Sequence, residues 1–357
     1  MNSEKLTQTI SDFIDYESKA KGDENYRQER IDRIETFQDT VRNGLNEENF
    51  RVLMKMLWAM RIWGNKDYQI DKILEHNNFK IIKQLFEEAL DANINIGELY
   101  DKFIELKHFG PSMVTEIICH LQPKKAGIWN MQARRALIWL EEKTLPLTAS
   151  RFIIGSEYNQ YNEILQKIAD KLIEKGLTGV DLLFVDYYLW YVAQNNSITI
   201  STAKEEKGIT KKGSSINKIL SSRHDDLRDK IAAIGQRLGF ETETEKKIGT
   251  GAVVDTVWDA KIGNLGRVIY VFEVQSKGSI DSLILNLQKS QKNQAVQKLV
   301  VVSDKDQIEK IEKEIKELPE SFRNAVTFWD DIDVDNTFER LEMVTASIDK
   351  LNLIPNF

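Results

Sequence analysis

The residues whose types and spacing could do chemistry concentrate in the last third of the chain. Val253-Val254-Asp255 is followed, after a short hairpin, by Val268-Ile269-Tyr270-Val271-Phe272-Glu273-Val274-Gln275-Ser276-Lys277. Side chains alternate faces along a strand, so Glu273, Gln275 and Lys277 are expected on one side and Phe272 and Val274 on the other. Carboxylates on neighbouring strands, with a carboxamide and an amine beside them, suit Mg2+ or Mn2+. Such an ion keeps part of its water shell while it grips a phosphate. The chemistry this implies is phosphodiester hydrolysis, with Asp255 and Glu273 as the two hard oxygen ligands.

These residues must be positioned by the elements around them. A chain of 357 residues has room for two compact domains. Residues 1–195 read as successive helices, with Leu53, Met54, Met56, Leu57 and Met60 at helical spacing and Ile164, Leu165, Ile168 and Leu172 repeating the pattern. Residues 196–222 are rich in Ser, Thr and Gly interleaved with Lys204, Lys207, Lys211, Lys212 and Lys218, the composition of a basic linker. From residue 223 the predicted order is helix, three strands, helix, strand, helix, strand, helix. A hairpin-rich start followed by β-α-β crossings predicts a mixed central sheet with helices on both faces. The fold class expected is therefore α+β in two domains, all-α at the N-terminus and α/β at the C-terminus.

Composition bounds the function. The net charge of -7 argues against a protein that coats nucleic acid nonspecifically, although a local basic groove remains compatible with it. A lone cysteine, Cys119, cannot form an intramolecular disulfide, and the chain starts with neither a signal peptide nor an apolar span. A cytoplasmic protein without a membrane partner is expected.

The order of elements over residues 223–357, with acidic residues at those strand positions, resembles the PD-(D/E)XK nuclease superfamily, the restriction-endonuclease-like fold. The resemblance implies that Asp255 and Glu273 bind the metal, helped by the Val274 carbonyl and by an acidic residue of the preceding helix, for which Asp226 is best placed. Gln275 stands at the usual lysine position and Lys277 follows two residues on; the resemblance implies that one or the other orients the attacking water or stabilises the developing charge. It also implies DNA as substrate, a homodimer where both strands are cut, and a role in genome defence or repair.

A second resemblance lies in the helical half. Leu106-Lys107-His108-Phe109-Gly110-Pro111-Ser112-Met113 joins two helical runs and looks like a helix-hairpin-helix motif, whose backbone N–H groups meet a DNA phosphate at a helix start. The following stretch through Ile128-Trp129-Asn130 continues to resemble helix-hairpin-helix DNA glycosylases. The catalytic aspartate of that family aligns with Asn130 and its lysine nucleophile with Met113, so glycosylase activity is not expected. Gly110 and Ser112 are the expected hairpin contacts, with Lys124, Lys125, Arg134, Arg135, Lys211 and Lys212 as the cations available to DNA. A tight interhelical turn, with Gly110 supplying a backbone angle and Pro111 starting a helix, accounts for the same loop equally well.

Other signals are weaker. The four histidines show no paired ligand spacing, so zinc is not expected. Tyr187-Tyr188-Leu189-Trp190-Tyr191 reads as core, and Asp259 as a structural carboxylate near a turn. The rival to a nuclease is a noncatalytic nucleic-acid-binding or interaction protein in which Gln275 marks a decayed site.

Overall fold

The computed structural model describes residues 1–19, 24–61, 63, 65–145, 153–196, 213–248, 251–261, 267–275 and 279–349. The chain divides into two compact units, one formed by Met1–Met60 and Ile70–Thr210, the other by Arg61–Gln69 and Lys211–Phe357. No helix among the described residues is long and apolar enough to cross a membrane.

The first unit is built from α1 (Ser3–Lys19), α2 (Glu24–Arg42), α3 (Glu47–Met56), α4 (Lys66–His76, its first turn belonging to the second unit), α5 (Phe79–Glu88), α6 (Ile96–Ile104), α7 (Pro111–Leu121), α8 (Met131–Trp139), α9 (Gly155–Glu174) and α10 (Leu182–Asn195). Asparagine and aspartate side chains start several of them: Asn46, Asn78, Asn95, Asn130 and Asp181 each accept a backbone N–H of the first turn. α7 is buried from Met113 to Leu121, Glu116 and His120 included, so the other helices pack about it. Gly97 and Gly155 let α6 and α9 cross at backbone contact, since a Cβ on either would strike the carbonyl of the other. Tyr187 and Tyr188 lie in this core against Phe13, as their spacing predicts.

The second unit carries α11 (Gly213–Arg237), β1 (Glu241–Ile248), β2 (Ala252–Lys261), β3 (Arg267–Val274), α12 (Ile280–Gln291), β4 (Val296–Ser303), α13 (Lys305–Lys316), α14 (Glu320–Arg323), β5 (Val326–Asp330) and α15 (Asp331–Asp349). Its five strands run in sequence order across one sheet. β1, β2 and β3 are antiparallel, and β4 and β5 continue parallel to β3. Ile269, Val271, Leu299 and Val301 pack with Leu283, Leu287, Ile311 and Ile315 of α12 and α13, while Phe272, Val274, Val300 and Val302 pack with Leu227, Ile231, Ile234 and Val334 of α11 and α15. The strands are thus apolar on both faces, as a sheet sandwiched between helices requires. Gly235 lets α11 sit on the sheet, because a Cβ there would lie 2.5 Å from the Trp258 ring.

Two expectations need correction. Residues 213–222 belong to α11 and not to a linker. Ile216, Ile219 and Leu220 repeat at helical spacing, a signal masked by the surrounding serines and lysines. Residues 61–69 join the second unit: the Thr244 amide donates to the Tyr68 hydroxyl at 3.2 Å, and the Asn65 amide donates to Gln236 Oε1 at 3.2 Å. Residues 197–212, with Lys211 and Lys212, lie outside the described residues.

Candidate functional site

The β2–β3 ladder is paired from Lys261↔Arg267 to Thr256↔Phe272, and Asp255 and Glu273 are the next residue of each strand. They therefore face each other at the carboxyl end of β3, where parallel strands β4 and β5 also end. Beyond that point the ladder changes partner. The Val274 amide donates to Asp255 Oδ2 at 2.7 Å, while the Gln275 amide donates to the Val302 carbonyl at 2.8 Å. The Ser303 hydroxyl donates to the Gln275 carbonyl and fixes the end of the strand.

The two carboxyl groups divide into an ionised and a protonated member. Burial and the adjacent Asp255 charge push Glu273 up to about 9. Burial acts on Asp255 in the same sense, but the hydrogen bond and charge of His224 and the Val274 N–H outweigh it and hold Asp255 below its ordinary value. His224 Nε2 lies 3.3 Å from Asp255 Oδ2, and its Nδ1 lies 3.7 Å from Asp225 Oδ1. Burial would lower the imidazole, yet Asp225 and Asp255 carry it up to about 10. Glu273 and Gln275 are 7% and 8% exposed, and among the described residues Glu273 Oε1 and Gln275 Nε2 have no hydrogen-bond partner. Among the described residues an unsatisfied acceptor and an unsatisfied donor are thus buried on neighbouring positions of the strand that carries one of the two carboxyl groups.

That donor set fits a divalent cation of the Mg2+ type. Among the described residues no group of three or more His, Cys, Asp or Glu side chains is placed to hold a metal ion. One or two carboxylates, with water and substrate phosphate completing the shell, are nonetheless the usual protein share for Mg2+. Asp255 and Glu273 are the carboxyl groups that could take that share.

Asp226, expected to join the pair, faces elsewhere. It is ion-paired with Arg223 at 3.2 Å and with Lys230, and both cations also bind Asp335 of α15. Helix phase explains the difference: Asp226 is turned toward α15, and His224 is the residue of α11 that reaches Asp255. Asp259 is paired with Arg267 across the hairpin, in keeping with a structural role. Lys277 lies outside the described residues.

In the helical unit the expected hairpin contacts are largely spoken for. Gly110 precedes α7 with φ -81 and ψ 161, an ordinary extended conformation, and the positive φ of 67 belongs to His108. The Ser112 hydroxyl donates to the Trp129 carbonyl at 3.2 Å. Arg134 is buried against the Trp129 ring, so it is not a solvated phosphate contact, whereas Arg135 is half-buried. Lys124 and Lys125 are exposed, and the Lys125 ammonium donates to the Ala92 carbonyl. Asn130 caps α8 and donates to Asp186 at 2.8 Å, and Met113 is core. Comparisons with protein-family models, with curated proteins and with solved structures give no match.

Proposed function

We propose that the C-terminal unit is a metal-dependent nuclease of the restriction-endonuclease-like kind, hydrolysing DNA phosphodiester bonds, and that the helical unit, akin to a glycosylase fold without its catalytic groups, positions the DNA. The observation that carries this reading is the Asp255–Glu273 pair at the carboxyl end of β3, with the buried, unpartnered Glu273 Oε1 beside it. Such strand ends are where α/β sheets bind ligands. Apposed carboxyls held in different protonation states by their surroundings are also common at catalytic sites.

Asp255 and Glu273 would hold Mg2+ or Mn2+, with the Val274 carbonyl as a further oxygen. The ion, when bound, would offset the phosphate charge and make a bound water more acidic. Gln275 Nε2 would donate to the attacking water or to a phosphate oxygen, the part that an amine plays more strongly. Lys124 and Lys125 offer the helical unit charge for the DNA backbone. Cutting both strands of a duplex would call for two copies of the chain, and a role in defence or repair follows by analogy with the fold alone.

The test is incubation of end-labelled single- and double-stranded DNA with the full chain and Mg2+ or Mn2+, with an EDTA control. Metal-dependent cutting supports the reading. Salt-dependent DNA binding without cutting on any substrate favours a binding module with a decayed site.

A further inference from the structure

Asp255 is crowded with donors from its own chain. Its Oδ2 accepts the Val274 amide at 2.7 Å and lies 3.3 Å from His224 Nε2, and the Glu273 carboxyl also donates a hydrogen bond to it. A carboxylate offers about four lone-pair directions, so most of the capacity of this one is already spent inside the protein. A divalent cation that approaches Asp255 meets a hydrogen-bonded ion pair and not an open oxygen. We propose that the His224–Asp255 ion pair is an autoinhibitory latch: the imidazole keeps the carboxylate in a closed form, and a divalent cation engages Asp255 only as His224 turns away to Asp225. The inference rests on reading the Asp255–Glu273 pair as a cation site and concerns how that site is kept closed.

Of the three donors, His224 is the one able to leave. The Val274 N–H is fixed in the backbone of β3, and Glu273 is held across from Asp255 by the β2–β3 register. His224 comes from α11, its side chain is 31% exposed, and rotation about its χ angles reorients the ring without disturbing the helix. The ring also has a second partner waiting. Asp225 Oδ1 stands 3.7 Å from His224 Nδ1, and that carboxylate is gripped by Arg228 Nη1 at 3.0 Å. Arg228 is buried and anchored by Asp229 at 3.1 Å and Glu245 at 2.8 Å, so Asp225 stays in place while the ring moves. Leaving Asp255 costs the imidazole one charged partner and not both, which keeps the closed and open forms close in free energy.

A latch and a ligand predict opposite signs for the same substitution. Removing a ligand weakens metal binding. Removing a latch strengthens it, because the cation no longer competes with an internal one for the Asp255 oxygens.

The experiment titrates the full chain with MnCl2 at one fixed pH, with free Mn2+ read by electron paramagnetic resonance. Circular dichroism and urea unfolding in EDTA confirm that each variant is folded. His224→Ala should bind Mn2+ about tenfold or more tightly than the wild type, the scale of a charge-assisted hydrogen bond that no longer has to be broken. His224→Gln keeps a neutral donor, should fall between the two, and carries the test if the alanine variant does not fold. Asp225→Asn removes the second partner of the imidazole, so it should weaken Mn2+ binding roughly fivefold alone and change it less than about twofold beside His224→Ala. Asp255→Asn should remove the binding in every background. Equal or weaker Mn2+ binding by the His224 variants, with Asp255-dependent binding in the wild type, would overturn the latch and leave the cation site standing. Absence of Asp255-dependent Mn2+ binding from the wild type and both His224 variants would overturn the latch and the cation-site reading together.

Discussion

Replacing Glu273 with glutamine should stabilise the metal-free protein at neutral and alkaline pH while removing a metal ligand. Glu273 is held up to about 9 against an ordinary value of 4.5. Because the folded value is the higher one, its contribution to stability is fully present below 4.5 and is lost as the pH rises toward about 9. At pH 7 the unfolded chain gains its proton release while the folded chain does not. At 1.36 kcal/mol for each pH unit above 4.5, this costs the native state roughly 3 kcal/mol at pH 7. Glutamine stays neutral, is nearly isosteric and can donate to Asp255 as the protonated carboxyl does. Urea unfolding in EDTA, with amide exchange across β3 as a local readout, should show Glu273→Gln more stable than wild type, the gain growing by roughly 3 kcal/mol between pH 5.5 and 8. A gain that is absent, or identical at both pH values, would refute the idea that burial beside Asp255 holds the proton on Glu273.

Further predictions concern positions remote from the pair. Gly235→Ala would set a methyl 2.5 Å from Trp258 and 2.7 Å from Thr242 Cγ2. Trp258 is pinned by its bond to the Ile231 carbonyl and its stacking on Phe240, so a loss of about 1–3 kcal/mol in urea unfolding is expected. Arg223→Ala would remove the cation that Asp226, Asp331 and Asp335 share and should cost about 3 kcal/mol in the same assay, with Asp335→Asn partly restoring it. In the helical unit burial carries Asp186 up to about 7 from 3.8, against the Asn130 hydrogen bond and with help from Glu116. Its contribution is fully present below 3.8 and lost as the pH rises through 7, so Asp186→Asn should gain stability at pH 8 relative to pH 5.

How much of this was legible in the sequence depends on the range of the interactions involved. The order of helices and strands after residue 223, and the mixed sheet with helices on both faces, follow from the hairpin and crossover pattern. Asp255 and Glu273 face each other because a short hairpin fixes their register locally. His224 carries no such signal: its approach to Asp255 depends on how α11 lies on the sheet. The same holds for Asp226, since Asp225 and Asp229 share one face of the helix and Asp226 lies beside it, and only packing selects which meets Arg228, Arg223 or the site. Arg134 looks solvated in one dimension and is buried because α8 is covered where the Trp129 ring lies. His108, and not Gly110, takes the left-handed angle, a choice that a Gly-Pro pair does not announce.

The central claim, that Asp255 and Glu273 form a metal-dependent phosphodiesterase site, is tested most directly by single-turnover cleavage of end-labelled DNA, comparing wild type with Asp255→Ala and Glu273→Ala. Filter binding run in parallel reports whether DNA still associates. The prediction is cutting by the wild type in Mn2+ or Mg2+ that EDTA abolishes, and a loss of at least about 100-fold in both variants with DNA binding retained. Cutting that persists in either variant, or a wild type that binds DNA and cuts no substrate with any divalent cation, would contradict it.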